Sequence, residues 1–282
     1  MPFDRASRRR SFVVLALGVA SVAFVAFVAT TLLGCGRAEP TASREDKLVV
    51  FAATSLREAF TSMGKEFSRQ HPGVELSFNF AGTQELRTQV EQGASGDVFA
   101  SADPHHMNEL LRAAHVGAPT VFARNEPVVV VAREFAPSLR TFVDLPNAER
   151  IVIGAPEVPI GRYTLQILDR AVLSLGSEFR ARVEAKVASR EMNVRQVLTK
   201  VTLGEAQAGF VYRTDALAAR ERVTIVAIPP ELNVLAEYPI AVVTGAPHPR
   251  LAHAWIDFVL SPEGRRALTD AGFGTPDSGA VP

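Results

Sequence analysis

Along most of this chain, apolar and polar residues alternate with two different periods, one typical of β-strands and one typical of α-helices. Residues 47–53 form a short apolar, β-branched run that is typical of a buried strand, and residues 56–67 then repeat apolar side chains at helical spacing. Similar pairs of strand-like and helix-like segments continue to the C-terminal region. Such alternation predicts an α/β fold, in which mostly parallel sheets are flanked by helices.

The pattern is long for a single sheet, and it begins again at Val128. We therefore predict two similar lobes with a ligand in the cleft between them. Lobe 1 is expected to comprise residues 47–127 together with the C-terminal segment 245–282, and lobe 2 to comprise residues 128–244.

Two joints between a predicted strand and a predicted helix carry a hydroxyl. Ser55 follows the strand ending at Ala53, with Glu58 three residues later as in a capping box, and Thr83 holds the matching position after the next strand. The start of a helix exposes unpaired N–H groups that favour an anion. The hydroxyls could cap only their own helices or could share a ligand, and the pattern alone leaves both interpretations open.

The N-terminal region has the pattern of an export leader. Arginines dominate residues 1–10, an apolar stretch covers 12–33, and Cys35 follows Gly34. This ending resembles a lipoprotein cleavage site, so we predict a signal and lipoprotein leader over 1–35, lipidation of Cys35, and a flexible tether over 36–46. The alternative is an uncleaved membrane anchor, because the apolar stretch approaches the ~20 residues that span a bilayer.

Composition narrows the class of protein. Cys35 is the only cysteine, which excludes a disulfide framework, and 47% hydrophobic residues are enough for large cores. The net charge is zero, and no basic run follows the leader, so nucleic acid is not an expected partner. The chain contains no Gly-x-Ser-x-Gly, His-Glu-x-x-His or phosphate-loop motif, and we predict that it is not an enzyme.

Seven segments together resemble the periplasmic molybdate-binding proteins of ABC importers. The resemblance covers residues 47–273 in the same order along the chain. The segments are FAATSL (51–56), NFAGTQEL (79–86), GDVFASAD (96–103), EVPIG (157–161), NVR (193–195), AGFVYRTDA (208–216) and YPIAVV (238–243).

The resemblance implies a two-lobed periplasmic-binding-protein fold of type II, with molybdate or tungstate bound between the lobes. It implies that Ser55 and Thr83 supply hydroxyls and helix-start N–H groups from lobe 1. From lobe 2, Ile160 and Val194 would supply backbone N–H groups, and Tyr212 its phenol. Any metal at this site would be the molybdenum of the oxyanion itself, and no cofactor is expected.

The expected function follows from the same resemblance. The protein would be a monomeric, lipid-anchored solute-binding protein on the extracytoplasmic (periplasmic) face of the cell membrane. It would capture the oxyanion and deliver it to the permease of an ABC importer.

The same sequence is compatible with alternative functions. Another solute such as sulfate or phosphate could use the same fold, and Arg162 and Arg195 lie beside assigned positions as possible anion ligands. An iron site would need clustered tyrosines, whereas the three in this chain are scattered along the sequence. His105 and His106 are adjacent on a predicted helix and therefore make a poor chelate. An exported enzyme and a passive surface lipoprotein are the remaining alternatives.

Overall fold

The computed structural model describes residues 46–276, which form two five-stranded sheets flanked by helices. The strands are β1 (Asp46–Ala53), β2 (Val74–Ala81), β3 (Val98–Ala100), β4 (Thr120–Asn125), β5 (Pro127–Ala132), β6 (Ile151–Gly154), β7 (Val187–Glu191), β8 (Ala208–Tyr212), β9 (Val223–Val226) and β10 (Ala236–Val242). The α-helices are α1 (Arg57–Gln70), α2 (Thr83–Glu91), α3 (Pro104–Arg112), α4 (Pro159–Leu175), α5 (Ser177–Ala185), α6 (Val194–Thr202), α7 (Arg213–Ala218), α8 (Pro249–Leu260) and α9 (Pro262–Asp270). Short 3-10 helices cover Thr54–Leu56, Arg133–Phe135 and Phe142–Asn147.

Both sheets have the same arrangement of strands. The order is β2-β1-β3-β10-β4 in the first sheet and β7-β6-β8-β5-β9 in the second. In each sheet the first three strands are parallel, and the fourth is antiparallel to both of its neighbours. We call each sheet with its helices a lobe. The predicted mostly parallel, two-lobed α/β fold is confirmed.

One strand lies in the other sheet from the one that the sequence predicts. The prediction extends lobe 2 to residue 244, but β10 pairs with β3 and β4, so it belongs to lobe 1. The apolar run of β10 would suit either sheet, and only its long-range pairing decides between them. The sequence analysis also did not predict β4, in which only three consecutive apolar residues lie between a threonine on one side and an arginine and an asparagine on the other.

The chain crosses between the lobes twice. Glu126 alone separates β4 from β5, and residues 227–235 connect β9 back to β10. The predicted return of the last helices to lobe 1 is confirmed, because the Trp255 ring of α8 packs edge-on against Phe60 and Phe67 of α1, with ring centroids 5.4 and 5.3 Å apart. Within residues 46–276, no helix combines the length and apolar character needed to cross a bilayer.

The two hydroxyls at the lobe 1 helix starts are not helix caps. Ser55 lies inside a 3-10 turn, α1 begins two residues later, and no side chain caps either helix. The predicted capping box with Glu58 is therefore wrong. Thr83 is itself the first residue of α2, and the carboxylate of Glu85 accepts the N–H of Gly82 at 3.0 Å instead. Both hydroxyls are thus left for other partners.

Side chains cap other helix starts in both lobes. Asp103 and Asn193 cap α3 and α6, each accepting an N–H from three residues later. Helix α4 begins at Pro159. Proline suits the first position of a helix because no N–H is needed there. Ile160 consequently lies in the first turn of α4.

The predicted leader (1–35), with Cys35, and residues 36–45 of the tether lie outside the described residues. Residue 46, assigned to the tether, is the first residue of β1.

Candidate ligand-binding site

A small cavity lies between the two lobes, with a volume of about 210 Å³ including its opening to solvent. Its lining residues are Ala53, Thr54, Ser55, Ala81, Gly82, Thr83, Ala102, Val158, Pro159, Ile160, Asn193, Val194 and Tyr212. None of them carries a charged side chain.

The structure brings all five sequence-predicted site residues to this one cavity. Ser55 and Thr83 come from lobe 1, at the helix starts that follow β1 and β2. Ile160 and Val194 lie in the first turns of α4 and α6 in lobe 2, and Tyr212 ends β8. The cavity therefore sits at the carboxyl ends of parallel strands from both sheets, where α/β folds bind ligands.

Helix starts from both lobes supply the cavity with backbone donors. The first N–H groups of a helix have no acceptor within that helix, and the helix dipole adds partial positive charge at the same end. The starts of α2, α4 and α6, together with the 3-10 turn before α1, all contribute lining residues. Such an array favours an anion without any formal positive charge.

The hydroxyls of Ser55 and Thr83 in lobe 1 face the cavity, and each oxygen already takes part in a hydrogen bond within the protein. The Ser55 Oγ lies 3.0 Å from the Tyr238 hydroxyl, and the Thr83 Oγ1 accepts the Ala102 N–H at 3.2 Å. Both residues are almost fully buried. Because the Thr83 oxygen is used as an acceptor, the hydroxyl proton remains available to a ligand.

The phenol of Tyr212 is buried without a hydrogen-bond partner among the described residues. An unpaired buried hydroxyl is costly, so it indicates a missing partner in the cavity that it lines. Burial raises the pKa of Tyr212 well above its usual value, and the neighbouring Tyr238 and Tyr163 contribute to the same shift. Tyr212 therefore keeps its proton and can act as a donor.

The two arginines that the sequence left as possible anion ligands do not line the cavity. Arg195 of lobe 2 pairs with Glu58 of lobe 1 and lies 2.8 Å from the buried carboxylate of Asp215. Arg162 lies 3.9 Å from Asp103 of lobe 1. Both cations are occupied by carboxylates beside the cavity, so they do not offer charge to its interior.

Polar contacts hold the lobes together around the cavity. Gln84 of α2 donates to the Met192 carbonyl of lobe 2 at 2.6 Å. His106 of α3 lies 2.8 Å from the carbonyl of Glu157, and since a carbonyl only accepts, its Nε2 is the donor. Burial is the main cause of a lowered His106 pKa, which favours this neutral form. Because these contacts join the two lobes beside the cavity, the cleft between the lobes is closed.

Residues that contribute only backbone or small side chains were not predicted from the pattern. Ala102 lines the cavity and orients Thr83 through its N–H, and Gly82 lets the lobe 2 backbone approach. Ala102 could have been found from its position, because it follows β3 at the same sheet edge as Ser55. Among the described residues, no group of three or more His, Cys, Asp or Glu is arranged to hold a metal ion.

Comparison with known proteins identifies the family that shares this architecture. The family model of the bacterial extracellular solute-binding proteins matches residues 48–274. The molybdate-binding protein ModA of Mycobacterium tuberculosis H37Rv is 37% identical over 268 residues, which are 92% of this chain and 99% of that protein. The Escherichia coli protein of the same name is 31% identical, covering 81% of this chain and 89% of its own length.

Among solved structures, the periplasmic molybdate-binding protein of Azotobacter vinelandii is similar with a TM-score of 0.70. The likeness covers 82% of this chain and 100% of that one at 18% identity, which shows a shared fold. The match to the family model spans nearly all of the described residues. The chain belongs to the bacterial extracellular solute-binding protein family.

Proposed function

We propose that this protein binds molybdate or tungstate outside the cytoplasm and delivers it to the membrane permease of an ABC importer. One observation carries the proposal: uncharged donors from both lobes converge on a small buried cavity without a charged lining residue. The molybdate-binding relatives support the choice of ligand. The chain would act as a carrier and not as a catalyst.

The proposed donors are those that line the cavity. Ser55, Thr83 and Tyr212 would donate hydroxyl protons, and Ile160 and Val194 would donate backbone N–H groups. A buried dianion must have its oxygens hydrogen-bonded. Charge-assisted bonds contribute ~1.5–3 kcal/mol each, so the five donors give ~7.5–15 kcal/mol before the costs of association. Micromolar to nanomolar binding needs a net ~8–12 kcal/mol, which lies within the reach of the upper part of that range.

The absence of a carboxylate from the lining also gives a basis for selectivity. A protonated oxyanion such as hydrogen phosphate carries an O–H that needs an acceptor, and no carboxylate lines the cavity to provide one. Sulfate has the same charge and shape as molybdate but is smaller, so the fit of the closed cleft would have to separate them. An arginine-assisted anion site has less support, because Arg162 and Arg195 are paired elsewhere.

Ligand screening tests the proposal directly. The domain without its predicted leader (residues 36–282) is expected to gain thermal stability with molybdate and tungstate. A ligand bound only by the folded state raises the unfolding temperature. Sulfate, phosphate and ferric iron serve as comparisons in the same thermal-shift assay. A shift with phosphate or iron alone would overturn the choice of ligand, and no shift with any anion would overturn the oxyanion site.

We also propose that the protein is exported and held at the outer face of the membrane by lipid on Cys35. The proposal rests on the leader pattern of the sequence. Labelling cells with radioactive palmitate should label the wild-type chain but not Cys35→Ser. An unlabelled wild-type chain that stays in the membrane fraction would favour the uncleaved anchor.

We also propose that the protein is a monomer, as its resemblance to the periplasmic molybdate-binding proteins implies. Light scattering coupled to size-exclusion chromatography checks this.

A further inference from the structure

One ion pair joins the two lobes beside the cavity. The guanidinium of Arg195, on α6 of lobe 2, donates to the carboxylate of Glu58, on α1 of lobe 1. A second carboxylate, that of Asp215 on α7 of lobe 2, lies 2.8 Å from the Arg195 Nε. Arg195 therefore has one acidic partner in its own lobe and one in the opposite lobe.

The two partners of Arg195 depend differently on closure of the cleft. Arg195 and Asp215 belong to the same lobe, so their ion pair persists when the lobes move apart as rigid bodies. Glu58 belongs to the other lobe, so its bond to Arg195 forms only when the cleft closes. The Asp215 side chain is fully buried, whereas that of Glu58 is half-exposed. Asp215 thus holds the guanidinium in place, and Glu58 reaches it on closure.

The position of Arg195 within its own helix does not favour a cation. Arg195 is the second residue of α6, and the positive end of the helix dipole disfavours a cation there. Glu58 is the second residue of α1, where the same effect favours an anion. The local structure of α6 therefore gives no reason for an arginine at this position, and its two carboxylate partners do.

The same two helix starts carry proposed ligand donors. Val194, directly before Arg195, would donate its backbone N–H, and Ser55, three residues before Glu58, would donate its hydroxyl. A ligand held by both donors would join the lobes at the place where the ion pair also joins them. Each connection makes the other easier to form, because either one keeps the two helix starts close together.

We propose that the Glu58–Arg195 ion pair is a latch on the closed cleft that slows release of the bound anion. Asp215 is a positioning residue that keeps the Arg195 guanidinium ready for Glu58. The inference rests on the proposed oxyanion function and adds to it a determinant of the release rate. The ligand leaves only after the lobes separate, and separation must break this ion pair.

The size of the effect follows from the exposure of Glu58. Exposed ion pairs change an equilibrium by no more than about fivefold, because ordering two long side chains offsets most of their attraction. Arg195 is already ordered by Asp215, so the latch should lie near the upper end of that range. Gln84 and His106 also bond lobe 2 carbonyls across the cleft, so a chain without the latch should still close and bind.

The test measures how fast the domain of residues 36–282 releases radioactive molybdate when excess unlabelled molybdate is added. Glu58→Gln should speed release about three- to fivefold. Association should not become slower, since the substitution removes a negative charge near an anionic ligand. The matched control is Glu66→Gln on the same helix, where the carboxylate accepts only from Arg69 and Gln70 of α1 itself. This control should release molybdate at the wild-type rate.

Salt gives a second readout, one that a general loosening of the structure would not reproduce. Because Glu58 is half-exposed, dissolved ions screen its attraction for Arg195. Added sodium chloride should speed release from the wild type and from Glu66→Gln, bringing both closer to the rate of Glu58→Gln. Release from Glu58→Gln should depend less on salt, since its latch is already absent.

Equal release rates for the wild type and Glu58→Gln, or an equal dependence of the two rates on salt, would overturn the latch while leaving molybdate binding intact. Absence of molybdate binding by the unmodified domain would instead overturn the proposed function and the latch with it.

Discussion

The two lobes have the same strand order but supply the cavity with different chemistry. Lobe 1 contributes the side-chain hydroxyls of Ser55 and Thr83, each oriented by a partner behind it. Lobe 2 contributes the first turns of α4 and α6, where Ile160 and Val194 have apolar side chains, and the unpartnered phenol of Tyr212. Equivalent topology therefore positions donors at the same place without requiring the same residue types.

This difference explains which half of the site is easy to see in a sequence. A hydroxyl at a strand-to-helix joint is a recognisable pattern, whereas a backbone N–H exists at almost every residue. Ile160 and Val194 could be nominated only through resemblance to a known family. The following predictions test whether the two kinds of donor carry equal weight.

Loss of both lobe 1 hydroxyls should have the largest effect. Ser55→Ala combined with Thr83→Ala removes two donors that point into the cavity, and we expect molybdate binding to become undetectable by calorimetry. The unliganded domain should still unfold cooperatively, because neither hydroxyl caps a helix. Ser62→Ala, at an exposed position of α1, is the control. Unchanged affinity in the double variant would contradict the assignment of the site.

A backbone donor of lobe 2 can be removed with proline. Val194 is the first residue of α6, where proline is tolerated, and the preceding Asn193 has the extended conformation that proline requires (φ −159°, ψ 164°). Val194→Pro should weaken molybdate binding by roughly 10- to 100-fold, from the loss of one charge-assisted bond of ~1.5–3 kcal/mol.

Val194→Ala is the matched control for the proline variant, since it shortens the side chain but keeps the N–H. It should bind molybdate nearly as well as the wild type. Equal affinities for the proline and alanine variants would show that this N–H does not contact the ligand. That result would contradict the claim that lobe 2 supplies backbone donors where lobe 1 supplies hydroxyls.

Closure of the lobes can be tested at Gly82. A Cβ added there would lie 2.5 Å from the Met192 carbonyl of the opposite lobe, although the backbone of Gly82 itself (φ −61°) suits alanine. Gly82→Ala should therefore hold the cleft open and weaken binding about tenfold or more, since overpacking costs ~1–3 kcal/mol. The melting temperature of the unliganded domain should change little.

Gly161→Ala provides the contrasting variant. A Cβ at Gly161 would meet the Ala155 carbonyl at 2.0 Å, within lobe 2 itself, so the substitution should lower the free energy of unfolding even without ligand. A Gly82→Ala variant that binds molybdate like the wild type would show that closure tolerates the added methyl group.

The smallest expected effect concerns pH and the buried charge of lobe 2. Burial raises the pKa of Asp215 to about 6, partly offset by the Arg195 guanidinium, whereas an unfolded aspartate titrates near ~3.9. Between about pH 4 and 6 the folded state binds more protons, so the contribution of Asp215 to stability falls as the pH rises through this window.

Asp215→Asn should remove this fall in the free energy of unfolding between about pH 4 and 6. Chemical unfolding of the unliganded domain at several pH values measures it. An identical pH profile for the wild type and Asp215→Asn would contradict the raised pKa.

The amino-acid sequence by itself determined the α/β class and the division into two lobes, because both follow from the periodic spacing of apolar residues along the chain. It also indicated the hydroxyls of Ser55 and Thr83. It did not determine that β10 pairs in lobe 1, that β4 exists, or that Glu58 would turn toward Arg195 instead of capping its helix. Those outcomes depend on contacts between residues more than a hundred positions apart, or on a strand whose own pattern is weak.

Only the tertiary structure decided what surrounds the cavity. The arginines beside the assigned positions are paired with carboxylates, and the Ser55 hydroxyl meets Tyr238, 183 residues away. The physical reason is that hydrogen bonds and ion pairs form between whichever groups folding brings together. Local sequence sets which elements form, and their packing sets which of their polar groups remain free for a ligand.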